Sequence, residues 1–192
     1  MQYNPFSLEG KTILVTGASS GIGKSIAIEC SKIGAKLIIT GRNEIRTQET
    51  FEMLEGDGHQ QFIGDLTDSG VIKDLVSTLP KLDGLVLAAG IVEMMPVMFA
   101  SKDKFDKIYN TNLFSPIELL RTIIKKKSFN QPISVVAIDS IAGVTDFCVA
   151  NGIYGSGKAA LKSFLKFFAL ETANKQIRVN TISPGMIYTP MH

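Results

Sequence analysis

Tyr154 and Lys158 stand four residues apart in Tyr154-Gly155-Ser156-Gly157-Lys158, with Ser140 upstream. Positions four apart share one face of a helix, so this spacing sets an ammonium beside a phenol. A free tyrosine has a pKa near 10 and exchanges protons poorly at neutral pH. A neighbouring cation favours the phenolate, which turns the tyrosine into a general acid–base. Taken alone, the pattern also arises by chance in helices. Its meaning depends on what precedes it.

What precedes it is Thr16-Gly17-Ala18-Ser19-Ser20-Gly21-Ile22-Gly23, placed directly after the apolar run Thr12-Ile13-Leu14-Val15. Glycines between a strand and a helix let the backbone approach a pyrophosphate, whose charge meets free N–H groups and the positive helix end. Glycines serve any tight turn, but in the first strand–helix unit of an alternating chain they point to a nucleotide. Roughly 20 residues on, NAD proteins carry an acid that holds the ribose 2′-hydroxyl. Here the stretch reads Thr40-Gly41-Arg42-Asn43, without a carboxylate. The Arg42 guanidinium suits a 2′-phosphate instead, which favours NADP(H) over NAD(H). The plainer alternative is a surface arginine opening the next helix.

The elements that must position these groups are legible as alternating runs. Strands are expected at 12–15, 36–40, 61–63, 85–88, 133–138 and 177–182, nearly all apolar, as a parallel sheet covered on both faces requires. Between them, Ile22, Ile26 and Ile33, then Val71, Leu75 and Leu79, recur at helical spacing. So do Leu113, Ile117, Leu120 and Ile124, and later Ala160, Phe164, Phe167 and Leu170. This rhythm predicts an α/β fold of the Rossmann type, a doubly wound parallel sheet in a three-layer α/β/α sandwich. With 192 residues and no linker or repeat, residues 1–192 read as one domain that holds both the nucleotide and the chemistry.

Composition narrows the class. A net charge of +2 advertises no nucleic-acid or membrane partner, and no run approaches the ~20 apolar residues of a membrane span. Cys30 and Cys148 make no disulfide framework, which suits a reducing, cytoplasmic setting. His59 and His192 lie far apart, so no metal site is expected. Met1-Gln2-Tyr3-Asn4-Pro5 lacks the basic and apolar regions of a secretory signal. Lys125-Lys126-Lys127 reads as a solvated helix end rather than an anion patch. Met94-Met95-Pro96-Val97-Met98 suits either a flexible pocket wall or ordinary packing. Asp139 and Asp146 fit no motif and read as loop residues, and Cys148 reads as a structural thiol.

Together these residues resemble a short-chain dehydrogenase/reductase of the single-domain type, near its 3-oxoacyl-carrier-protein reductase members. The resemblance rests on Thr16-Gly17-x-x-x-Gly21-Ile22-Gly23, Asp65, Ala88-Ala89-Gly90, Asn112, Ser140, Tyr154-x-x-x-Lys158 and Pro184-Gly185, in the family's order over almost the whole chain. It implies hydride transfer between a nicotinamide and a small ketone or secondary alcohol, with Tyr154 exchanging the proton and Ser140 bonding the same oxygen. Lys158 would lower the Tyr154 pKa and hold the nicotinamide ribose, while Asn112 would support a water leading from Lys158 to solvent. Gly17, Ser19, Ser20, Gly21, Ile22 and Gly23 would cradle the pyrophosphate, and Asp65 and Leu66 would meet the adenine. Ala89 and Gly90 would line the central ribose, with Pro184, Gly185, Ile187 and Thr189 at the nicotinamide end. The family also implies a homodimer or homotetramer, for which Phe164-Leu165-Phe167-Phe168 offers an apolar face.

Two departures stand out. The family's Asn-Asn-Ala-Gly stretch appears as Leu87-Ala88-Ala89-Gly90, and the sequence reaches Met191-His192 where the family continues into a substrate-covering lid and a last strand. An open pocket and an exposed sixth strand are the expected result. A non-catalytic NADP(H)-binding or redox-sensing module is therefore the rival to an enzyme.

Overall fold

The computed structural model describes residues 4–190. Met1–Tyr3 of the leading segment, and Met191 and His192, lie outside the described residues. Six strands, β1 (Thr12–Thr16), β2 (Lys36–Gly41), β3 (Gln60–Ile63), β4 (Leu82–Leu87), β5 (Phe129–Ile138) and β6 (Ile177–Ile182), form one parallel sheet in the order β3-β2-β1-β4-β5-β6. The order reverses between β1 and β4, and a crevice opens there at the strand carboxyl ends. This is the expected doubly wound architecture.

The alternation of side chains explains why the strands are apolar throughout. Leu14, Ile38, Leu85, Leu87 and Val135 enter one core, while Ile13, Val15, Leu37, Ile39 and Val86 enter the other. On the second face lie α1 (Gly21–Lys32) and α2 (Glu44–Phe51), through Ala27 and Phe51. The first face is covered by α3 (Ser69–Thr78), α5 (Ser115–Lys126) and α6 (Gly152–Thr172), through Leu75, Leu119, Leu120, Leu161 and Leu165. A shorter helix, α4 (Lys102–Tyr109), leads into a π-helical turn over Asn110–Phe114. The segment before α4 is held by Glu93, whose carboxylate pairs with both Lys104 and Lys107.

Surface expectations divide. Lys125, Lys126 and Lys127 sit exposed where α5 ends, with Lys127 in the left-handed region that closes a helix. Met94, Val97 and Met98 are exposed rather than core. Of the aromatic cluster, Leu165 is core and Phe168 packs against it, whereas Phe167 and Leu170 face outward. Cys148 is exposed, its thiol donating to Asp146 at 3.4 Å, so it packs nothing. Among the described residues β6 forms one margin of the sheet, with Ile182 at 53% exposure. No described helix is long and apolar enough to cross a membrane.

Candidate active site

The turn between β1 and α1 is built to the limit of backbone contact. Gly17 has φ +68, and a Cβ there would lie 2.6 Å from the Ala89 Cα. A Cβ on Gly23 would lie 2.4 Å from the Gly17 carbonyl oxygen. Only hydrogen fits at either point. Thr16 staples this turn to the end of β4, its Oγ1 donating to the Val86 carbonyl at 3.3 Å and accepting from Ala88 and Ala89 N–H at 3.1 and 3.2 Å. Ser20, extended, precedes the first turn of α1 with no side-chain cap of its own, so the helix N-terminus opens into the cleft.

The cleft encloses about 280 Å³, and Gly17, Ser19, Ser20, Gly21, Ile22 and Gly23 form its floor. At its outer end, Asn43 accepts from the Arg46 N–H at 2.9 Å and so caps α2. Arg42, just before that cap, and Arg46, in the first turn, both face the cleft. Arg42 Nη1 lies 3.5 Å from Asp65 Oδ2, an exposed pair that contributes little to stability. Asp65 Oδ1 also accepts from the Thr67 N–H and hydroxyl, each at 2.9 Å. Leu66, Ala89 and Gly90 line the middle, and Pro184, Gly185, Ile187 and Thr189 the far wall. Thr40 Oγ1, in the same lining, is buried without a hydrogen-bond partner. The cradled turn, the open helix end and the paired arginines fit a dinucleotide.

Ser140, Tyr154 and Lys158 converge on the inner end. Ser140 is buried, its Oγ accepting from Ala142 N–H at 3.1 Å, and its hydroxyl favours ionisation of the neighbouring Tyr154 phenol. Lys158 is 5% exposed and donates to the Ile138 carbonyl at 2.7 Å. Burial pushes its pKa down to about 8, against the opposing pull of Asp139. Its Nζ lies 6.0 Å from the Tyr154 ring centroid. The expected lowering of Tyr154 does not appear in this arrangement. Burial pushes the phenol up, opposed by the Ser140 hydroxyl and reinforced by Asp139. The phenol therefore stays protonated across neutral pH.

Asn112 stands apart from the cleft lining. The π-helical turn rotates it inward, where it is 1% exposed and clamps Ile91 through Oδ1 (2.9 Å from the Ile91 N–H) and Nδ2 (2.8 Å to the Ile91 carbonyl). A Cβ on Gly90 would meet both Asn112 Oδ1, at 3.4 Å, and Lys158 Nζ, at 3.6 Å, so the two groups flank one glycine.

Arg46 and Asp139 are among the cleft residues that escape sequence reasoning. Arg46 was visible only as a second arginine one helical turn after Arg42. Asp139 reads in the sequence as a loop residue, yet its side chain is wholly buried beside Lys162. The available signal was an acid at the end of an apolar strand, facing lysines spaced four apart. Among the described residues no group of three or more His, Cys, Asp or Glu is placed to hold a metal.

The buried lysine has a measurable consequence. Its folded pKa lies below its unfolded one, so between about pH 8 and pH 10.5 the unfolded chain binds more protons and Lys158 adds stability as pH rises. The full span corresponds to about 3 kcal/mol. Lys158→Met removes this dependence. Urea unfolding of parent and variant should show the parent gaining on the variant across that window; a gap constant with pH would contradict the buried charge.

The family model for short chain dehydrogenase matches residues 11–192. A 3-oxoacyl-[acyl-carrier-protein] reductase of Rickettsia conorii is 35% identical over 184 residues, covering 96% of this chain and 76% of the relative. Dehydrogenase/reductase SDR family member 6 of Xenopus laevis is 29% identical over 184 residues, covering 95% and 74%. Among solved structures, the Pseudomonas aeruginosa RhlG/NADP active-site complex superposes with a TM-score of 0.91 at 29% identity, covering 98% of this chain and 78% of that one. The matched family model, the relatives above 30% identity and the shared architecture agree, and the chain belongs to the short-chain dehydrogenase family of oxidoreductases.

Proposed function

We propose that the chain is an NADP(H)-dependent oxidoreductase that interconverts a ketone and a secondary alcohol, with Tyr154 as the general acid–base. The observation that carries this reading is the position of Tyr154, beside Ser140 and Lys158, on the same cleft as the Gly17–Gly23 turn. When bound, the nicotinamide supplies or takes up the hydride. Tyr154 Oη donates its proton to the carbonyl oxygen, and Ser140 Oγ hydrogen-bonds that same oxygen and orients it. Lys158 contributes a buried positive charge that favours negative charge developing beside it. Gly17 through Gly23 hold the pyrophosphate, Asp65, Leu66, Ala89 and Gly90 the adenosine half, and Pro184, Gly185, Ile187 and Thr189 the nicotinamide end. Asn112 secures the Ile91 backbone behind them.

The relatives that reduce 3-oxoacyl-carrier-protein substrates make a 3-oxoacyl thioester the leading substrate class. Met186 and Tyr188, exposed and interleaved with the cleft-lining Gly185, Ile187 and Thr189, suit an acyl chain.

The preference for NADP(H) is carried by Arg42 and Arg46 at the outer end of the cleft. A charge-assisted bond to a 2′-phosphate is worth about 1.5–3 kcal/mol, or roughly 10- to 150-fold in affinity. Fluorescence titration should therefore show NADPH binding tighter than NADH by that order. Arg42→Asp should erase the difference, since its carboxylate repels the phosphate and accepts from a free ribose hydroxyl. Unchanged discrimination would refute the assignment, and binding without turnover on any carbonyl substrate would favour the non-catalytic module.

A further inference from the structure

Asp139 has no part in the chemistry assigned above, yet it occupies the most constrained position near it. It follows β5 directly, and its N–H donates to the Ile182 carbonyl at 2.7 Å. Its side chain is fully buried, with Oδ2 3.8 Å from Lys162 Nζ and accepting from the Ser183 hydroxyl at 3.3 Å. Lys162 Nζ also donates to Ser183 Oγ at 3.0 Å. Oδ1 is buried and has no hydrogen-bond partner. A carboxylate left half-satisfied inside a protein is costly unless positive charge compensates it.

The compensation comes from α6. Lys158 and Lys162 are four residues apart, so their side chains leave the helix on the same face. Like charges so placed oppose one another, and Lys158 carries the added cost of burial. Lys158 bonds the carbonyl of Ile138, the residue immediately before Asp139. The carboxylate thus pairs with Lys162 and lies one residue along the chain from the carbonyl that holds Lys158. The polar groups around it are Ser140 from its own segment, Tyr154, Lys158 and Lys162 from α6, and Ser183 from the exit of β6.

We propose that Asp139 is a positioning residue: its buried carboxylate, fixed by Lys162 and Ser183, holds the Lys158 side chain as the ammonium that bonds the Ile138 carbonyl. The residue borders the cleft, but its side chain has no exposed surface, so the carboxylate acts through Lys158. The consequence for catalysis rests on the reductase reading, whereas the charge coupling does not. Electrostatics agree with the geometry. Asp139 raises Lys158 against its burial, and among the groups that lower Asp139 against its own burial Lys158 ranks first, ahead of Lys162, Ser183 and the Ser140 N–H. Asp139 also raises Tyr154, so its loss shifts both groups toward acid.

Nuclear magnetic resonance of the chain labelled with 15N-lysine follows the Lys158 Nζ titration directly, its signal identified by its loss in Lys158→Met. Asp139→Asn should move that midpoint to lower pH by roughly one unit, a tenfold change in the proton affinity of Lys158. Asp139→Ser makes the same test with a smaller neutral side chain if Asp139→Asn fails to fold. A midpoint unmoved in the folded variants overturns the proposal. In turnover assays the alkaline limb should move in the same direction. Movement of the resonance with no turnover in the parent would uphold the coupling and refute the reductase reading instead.

Discussion

Tyr154→Phe is expected to lower carbonyl reduction by roughly 10²–10⁴-fold while leaving NADPH affinity within about twofold of the parent. The reason lies in the state of the phenol. Burial raises it, Ser140 opposes this, and Asp139 adds to it, so at neutral pH the group is a loaded proton donor. Phenylalanine keeps the ring and loses the proton. Reduction then proceeds without a donor to the developing alkoxide, leaving Ser140 as the remaining hydroxyl at that oxygen. The measurement is single-turnover decay of NADPH absorbance with a ketone or 3-oxoacyl thioester, together with a binding titration of the same sample. More than a tenth of the parent rate in the variant would remove Tyr154 from the role of proton donor. Because the phenol resists ionisation, the reverse reaction, which needs a base, should quicken as pH rises.

The second large effect is expected from Gly17→Ala. A Cβ at this position enters within 2.6 Å of Ala89 Cα and 2.7 Å of Ala89 N, both backbone atoms that cannot rotate away. The left-handed φ of +68 adds strain for any side chain. The turn and the end of β4 must separate, which widens the cradle and loosens the Thr16 staple. Strain of about 1–3 kcal/mol translates into a loss of NADPH affinity of tenfold or more. Gly10→Ala separates the two causes. Gly10 has φ +72 but open space where the Cβ would go, so it should cost stability and spare the cofactor. Equal loss of NADPH binding in both variants would show that backbone strain alone, rather than the Ala89 contact, shapes the site.

How much of this was legible in advance depended on whether a residue's task shows in its type. The strands are near-continuous β-branched runs because both faces are buried, so their number, spacing and parallel order follow from pattern. Their ends do not. β4 begins at Leu82 rather than Leu85, since Asp83, which breaks the apolar run, accepts from the Thr12 N–H at 2.9 Å and from Asn130 at 3.0 Å. An acid there serves as part of the sheet margin. β5 likewise starts at Phe129, ahead of a proline that reads as a stop. α4 has one buried residue, Ile108, among lysines and aspartates, too little to set a helical period.

At the site, motif residues are legible because few residue types perform proton transfer or fit under a pyrophosphate. The resemblance implies that Asn112 supports a water, and the structure adds that both polar atoms of its amide engage the Ile91 backbone, a geometry that spacing cannot express. Asp139 was passed over because its meaning is relational. An aspartate after a strand is unremarkable until Lys158 and Lys162 are seen to lie against it. Charge balance inside a fold is a property of three-dimensional neighbours, and sequence patterns record it only by accident.

Lys158 shows what such a balance does over generations. Its buried ammonium weakens the fold at neutral pH, where an apolar side chain of similar length would pack without that burden. Selection for thermal endurance and selection for turnover therefore pull position 158 in opposite directions.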